Sequence, residues 1–252
     1  MTRRFKALAA FSVLALAQPG LLAAQTDAAA KPAETATVAV DQAHLRLYDV
    51  ILGGVDIQAM AQAGADSIFD GLVRNEPRMA QLAERNPGMR AEFRTMAMPF
   101  LKTWMTRSTS IMRERVAARF ARHYTAAEAA ELGQFYDSPV GRKLMKAFSG
   151  SMTFDKTVDQ ALQSGSSSQP MVNADVDKSL NAGLARFLPT LSPAEKEEFI
   201  RMSKRPVFAK LGLISQAMQG IEQPKIDEMS TPEEREAFGQ ALRTLFEKAM
   251  AN

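Results

Sequence analysis

An all-α, multi-helix bundle is the fold class this sequence predicts, and three observations carry it. Apolar residues recur at steps of three and four along most of the chain from Asp41 onward. Three segments open with a hydroxyl residue followed three positions later by glutamate: Thr125 and Glu128, Ser192 and Glu195, Thr231 and Glu234. In each, hydroxyl and carboxylate reciprocally satisfy free amides at a helix start, which is a capping box. No run alternates apolar with polar residues and carries β-branched enrichment, so strands are not expected.

The elements follow in chain order. Arg3, Arg4 and Lys6 form a positive start, Ala7 to Ala17 an apolar run of 11 residues, and Pro19-Gly20 a break before Ala23 and Ala24. That order is the one a secretory signal peptide needs, and the run is too short to span a bilayer. Residues 1–24 are therefore expected to be removed on export by the general secretory route. "RRFKAL" lacks the spacing usual after a twin arginine. Residues 25–40, poor in bulky apolar side chains, read as a mobile linker.

Leu45, Tyr48 and Ile51 then mark a first helix stopped by Gly53-Gly54, and Ile57 to Val73 a second that ends before Pro77. After Pro87-Gly88 a long pattern runs through Phe93, Met96, Phe100 and Trp104 to Met112, Val116 and Phe120, with a kink expected at Pro99. Thr125 to Tyr136 is a helix of about three turns. It must stop before Ser138, because proline disfavours helical geometry in the residue before it. Ser138 can cap a new helix with Pro139 at its first position. Gly141 falls one turn into that helix, where glycine is poorer than alanine by about 1 kcal/mol. Something must approach the backbone there, and an aromatic ring from Phe135-Tyr136 is the nearest candidate. "SGSSSQP", residues 164–170, reads as a flexible linker between a first helical unit (41–163) and a second (171–252) packed on it.

The stretch "FYDSPVGRKL", preceded by "YTAAEAAEL", resembles the exported bacterial family known as domain of unknown function 2059. Phe135, Tyr136, Ser138, Pro139, Gly141 and Lys143 stand at the positions of its Phe-Tyr-x-Ser-Pro-x-Gly-x-Lys motif. One departure lies at Ala129 to Leu132, where the family tends to place its Glu-Leu nearer Glu128. The resemblance covers some 50 residues, from Arg113 to about Ser164. It implies an exported helical protein and assigns no activity. These six residues are the candidate interaction motif.

The chain also repeats itself. A shift of 67 residues lays Arg119–Leu144 on Arg186–Leu211 with nine identities over 26 positions, which predicts a duplicated helix–turn–helix unit. Thr125 and Ser192 become equivalent caps. The second copy keeps Pro206, Val207, Lys210 and Leu211 but has Arg205 for Ser138, Phe208 for Gly141 and Ser203 for Tyr136. The turn is kept and the tight approach is lost.

Composition excludes several functions. The formal charge of +3 equals the three basic residues of the signal peptide, and the remainder carries 28 basic against 28 acidic residues. No global field for nucleic acid or an anionic membrane survives. Arg74 to Arg122 holds 11 basic residues against four glutamates, spread as on a solvated helix face. There is no cysteine, hence no disulfide or thiolate metal site. Only His44 and His123 exist, too few for a multi-histidine metal site and poorly placed for a Ser-His-Asp triad. No nucleophile elbow, phosphate-binding loop or dinucleotide fingerprint occurs. Glu128 and Glu131, one turn apart, suit a solvated face better than an acid/base pair. Met98, Met105 and Met112 recur at steps of seven. Such a stripe suits a core or an apolar groove rather than a copper site.

No cofactor is expected. The leading expectation is a non-enzymatic periplasmic protein that binds a protein partner of the cell envelope. The alternatives are a carrier of an apolar ligand in a methionine-lined groove and a hydrolase with an unrecognised site. No nucleic-acid partner and no stable membrane span after signal removal are expected.

Overall fold

The computed structural model describes residues 39–164, 173–210, 221 and 224–251. The expected signal peptide at 1–24, all but the end of the expected linker at 25–40, and most of the expected linker at 164–170 lie outside the described residues. Among those described there are only helices: α1 (Gln42–Gly53), α2 (Ile57–Asn75), α3 (Pro77–Arg85), α4 (Met89–His123), α5 (Ala126–Asp137) and α6 (Pro139–Ser149). Then come α7 (Asp155–Ser164), α8 (Asn173–Phe187), a 3-10 turn (Leu188–Thr190), α9 (Pro193–Ser203), α10 (Pro206–Ala209), α11 (Ile226–Met229) and α12 (Pro232–Ala251). The protein is an all-α multi-helix bundle.

Its axis is α4, whose 35 residues extend about 50 Å at 1.5 Å per residue. Phe93, Ala97, Leu101, Trp104, Met105, Met112, Val116 and Phe120 are buried along it. Helices α1, α2, α11 and α12 pack on that axis. Phe238 of α12 meets Trp104 and Phe100 edge-on, with ring centroids 5.3 and 5.2 Å away. The helix continues through Pro99, which lies on its exposed face. Proline there removes one bond of the helix, that to the Thr95 carbonyl.

The first helix runs from Gln42 to Gly53 as its spacing predicts, burying His44, Leu47, Tyr48 and Ile51, with Leu45 partly covered. Two expectations need correction. Helix α3 lies where the sequence predicts no element. It is only nine residues long, and its apolar positions Met79, Leu82 and Ala83 span little more than one turn, too short a pattern to be read alone. The arginines of 74–122 do not form merely a solvated face, for several reach across to acids on other helices. Arg94 grips Asp66 of α2 with contacts of 2.7–3.0 Å. Arg113 pairs with Asp49 of α1 at 2.6 Å, Arg107 with Glu234 of α12 at 2.5 Å, and Arg90 with Asp70. Forked guanidinium–carboxylate pairs set rotation and register between helices even where exposure to water leaves each pair weak.

All three expected capping boxes are present. Thr125, Ser192 and Thr231 each accept from the amide three residues on at 3.2–3.3 Å, and Glu128, Glu195 and Glu234 accept from the cap amides at 2.8–2.9 Å. A cap of another kind is not legible in the sequence. Buried Asp175 on α8 accepts from the Thr157 amide and hydroxyl at 2.8 Å and from the Lys156 amide at 3.2 Å, closing the start of α7.

Candidate functional site

The corner between α5 and α6 brings the six motif residues together. The Ser138 amide donates to the Phe135 carbonyl at 3.0 Å. Its backbone turns to an extended ψ of 160°, and its hydroxyl accepts from the Gly141 amide at 3.1 Å. Pro139 follows at the first helical position, exposed, where it has no amide to leave unpaired. Phe135 and Tyr136 are buried, and the Tyr136 phenol is pushed well above its ordinary pKa by that burial.

Gly141 decides the geometry of the corner. A Cβ there would stand 2.6 Å from the Tyr136 Cα and 2.9 Å from the Phe135 carbonyl carbon, and closer still to the Phe135 carbonyl oxygen. The close approach expected from the sequence is real, but its agent is the backbone of α5 rather than an aromatic ring. The first turn of α6 lies against the last turn of α5 with no room for a side chain between them.

Phe135 faces the second helical unit. Its ring meets Phe208 edge-on at 5.0 Å and Phe199 at 6.5 Å, and Phe199 in turn meets Phe187 at 5.2 Å. Charged pairs frame these rings. Lys143 holds both Glu195 oxygens at 2.7 and 2.8 Å and donates to the Thr190 carbonyl at 3.2 Å. Lys210 holds Glu128 at 2.6 Å and donates to the His123 carbonyl at 3.5 Å. Arg205 pairs with Glu131 at 2.8 Å. Lys143 and the Ser192 amide hold the Glu195 carboxyl at about 2, far below its ordinary 4.5. Lys210 and the Thr125 amide lower Glu128 in the same way.

The remaining candidates are structural as well. His44 Nδ1 accepts from the Asp41 amide at 3.1 Å, which leaves Nε2–H to donate to the Tyr124 carbonyl at 2.9 Å. That ring ties α1 to the residue before the Thr125 cap. His123 is held below its ordinary pKa by burial and by the charges of Arg119, Arg122 and Lys210. Met105 and Met112 are buried in the core, and Met98 packs against it partly covered. Among the described residues no group of three or more His, Asp or Glu could hold a metal ion. None of the described helices is long and apolar enough to cross a membrane.

The six residues thus converge on one corner, as their spacing implies. Sequence reasoning misses their partners: Glu195, Glu128, Glu131, Arg205 and the phenylalanines of α8–α10. The repeat alignment is the one signal that points to them, because it sets Lys143 beside Lys210 and Glu128 beside Glu195. No curated protein and no solved structure matches the chain. Residues 110–164, the second half of α4 to the end of α7, match the model of the family described as "Uncharacterized protein conserved in bacteria (DUF2059)".

Proposed function

We propose that this chain is an exported, non-enzymatic helical protein of the cell envelope that binds a protein partner. The observation that supports it most is the commitment of the groups able to do chemistry. Glu128, Glu131, Lys143 and His44 Nε2 are spent on contacts between helices, and His44 Nδ1 on the cap of its own helix. An acid, base or nucleophile must instead reach a substrate atom.

A binding surface is available where α9 has no buried residue. Ile200 on that helix is 51% exposed, and Leu188 on the turn before it is 46% exposed. They are two of the four large apolar side chains exposed among the described residues, and a partner that covered them would gain by removing that surface from water.

The test is capture of envelope proteins on the mature chain, with Ile200→Asp and Met250→Asp compared in parallel. Met250 is 65% exposed on α12 and serves as the surface control. A captured protein lost with Ile200→Asp and kept with Met250→Asp supports the reading, and equal capture by all three chains refutes it. Export is checked separately by N-terminal sequencing, which should begin near Gln25; an intact Met1 rules it out. A carrier of an apolar ligand would bring lipid through purification, visible by native mass spectrometry. A hydrolase would turn over substrate in a broad esterase and peptidase screen.

A further inference from the structure

Two of the three charged pairs around the Phe135 corner obey a rule that neither helix sequence requires; the third, Arg205 with Glu131, has Ser138 at the position related to Arg205 and is not reciprocated. Lys143 and Lys210 are related by the 67-residue shift, and so are Glu128 and Glu195. Each lysine pairs with the glutamate of the other segment, Lys143 with Glu195 and Lys210 with Glu128. The carbonyls that the lysines also reach, Thr190 and His123, are related by the same shift.

Local structure follows the shift too. Thr125 and Ser192 cap with ψ of 163° and 164°, and Ser138 and Arg205 precede Pro139 and Pro206 with ψ of 160° and 142°. A contact in which residue i of one unit touches j of the other, while j of the first touches i of the second, is the signature of an isologous, two-fold interface. Chance similarity of two amphipathic helices gives capping boxes but no reason for their glutamates to exchange lysines.

We infer that residues 119–144 and 186–210 are two copies of one helical corner, docked on each other by a two-fold-like exchange, and that this surface also accepts the corner of a second copy of this chain. The exchange is self-complementary, so the contacts that join the two corners within a chain can join them between chains. The symmetry is broken at its centre. Gly141 keeps the first corner tight, while Phe208 at the equivalent position places its ring on Phe135. The first corner therefore receives and the second inserts, which fixes the pairing as first corner with second corner.

Charge reversal tests this in the full mature chain. Lys143→Glu with Lys210→Glu gives one chain whose two corners repel each other. Glu128→Lys with Glu195→Lys gives another, also repelled within itself. Between these chains every exchange is complementary. The acids placed at positions 143 and 210 of the first chain meet the lysines placed at 195 and 128 of the second. The unchanged Glu128 and Glu195 of the first chain meet the unchanged Lys210 and Lys143 of the second. Mixed in equal amounts after joint unfolding and refolding, the two chains should give a one-to-one complex of doubled mass by light scattering, absent from either chain alone. Absence of doubled mass in the mixture overturns the inference, whether or not the separate chains stay helical by circular dichroism. A chain with all four reversals restores both pairs internally, though it gives up the glutamates of two capping boxes, and it should be a monomer; a doubled mass in that chain alone also overturns the exchange.

Discussion

Gly141→Ala is the substitution for which local and tertiary forces pull in opposite directions. In a helix interior the change from glycine to alanine is favourable by about 0.5–1 kcal/mol, through lower chain entropy in the unfolded state and better helix propensity. Against that stands the backbone of α5. The new methyl would lie 2.6 Å from the Tyr136 Cα and 2.9 Å from the Phe135 carbonyl carbon, where ordinary contact begins near 3.5 Å. The neighbours are main-chain atoms of a capped helix, so no side chain can rotate away. Relief requires the start of α6 to move outward by about an ångström, which loosens the Ser138 cap and draws Val140 and Leu144 from the core. Overpacking of this kind costs about 1–3 kcal/mol net, so the strain must exceed the propensity gain.

The assay is urea unfolding of the mature chain. With a slope of about 2 kcal/mol per molar, the midpoint should fall by about 0.5–1.5 M. Gly133→Ala and Gly239→Ala supply the contrast, for a Cβ at either position meets nothing within 4 Å. Both should raise stability by about 0.5–1 kcal/mol. A Gly141→Ala chain as stable as the parent would refute the reasoning and leave the Ser-Pro-x-Gly break an ordinary joint.

Three further outcomes are expected. Glu195, held at about 2 against its ordinary 4.5, contributes stability that is fully present above the unfolded value and is lost as the pH falls through the folded one. Carboxyl NMR titration should find it in that range, and Lys143→Met should move it upward; an unmoved titration would exclude Lys143 as the main cause. Asp175→Ala should cost about 1–3 kcal/mol in the same urea assay, because it strips the amide cap and hydroxyl partner from the buried start of α7. An unchanged midpoint would contradict that assignment. Phe135→Ala should cost about 3–5 kcal/mol by opening a cavity among Tyr136, Phe199 and Phe208. A loss under about 1 kcal/mol would mean the rings do not form one packed cluster.

The helices and their limits were legible in the sequence because the forces that set them act within one turn. The capping boxes at Thr125, Ser192 and Thr231, the stop before Ser138-Pro139 and the need for space at Gly141 follow from backbone sterics and amide satisfaction alone. The weak spot was α3, whose nine residues carry a helical pattern, Met79, Leu82 and Ala83, too short to stand out between Pro77 and Pro87. What approaches Gly141, and what the charges meet, only the tertiary structure decided. The atoms against Gly141 are the α5 backbone rather than a ring, because the path of the chain through Ser138 folds α6 back onto α5. Lys143 and Glu195 are 52 residues apart, and Arg113 and Asp49 are 64 apart. Sequence spacing places a charge on a helix face, but its partner is set by how that face packs. The same lysines and glutamates could have been solvated singly, and it is the docking of one corner on the other that turned them into reciprocal pairs.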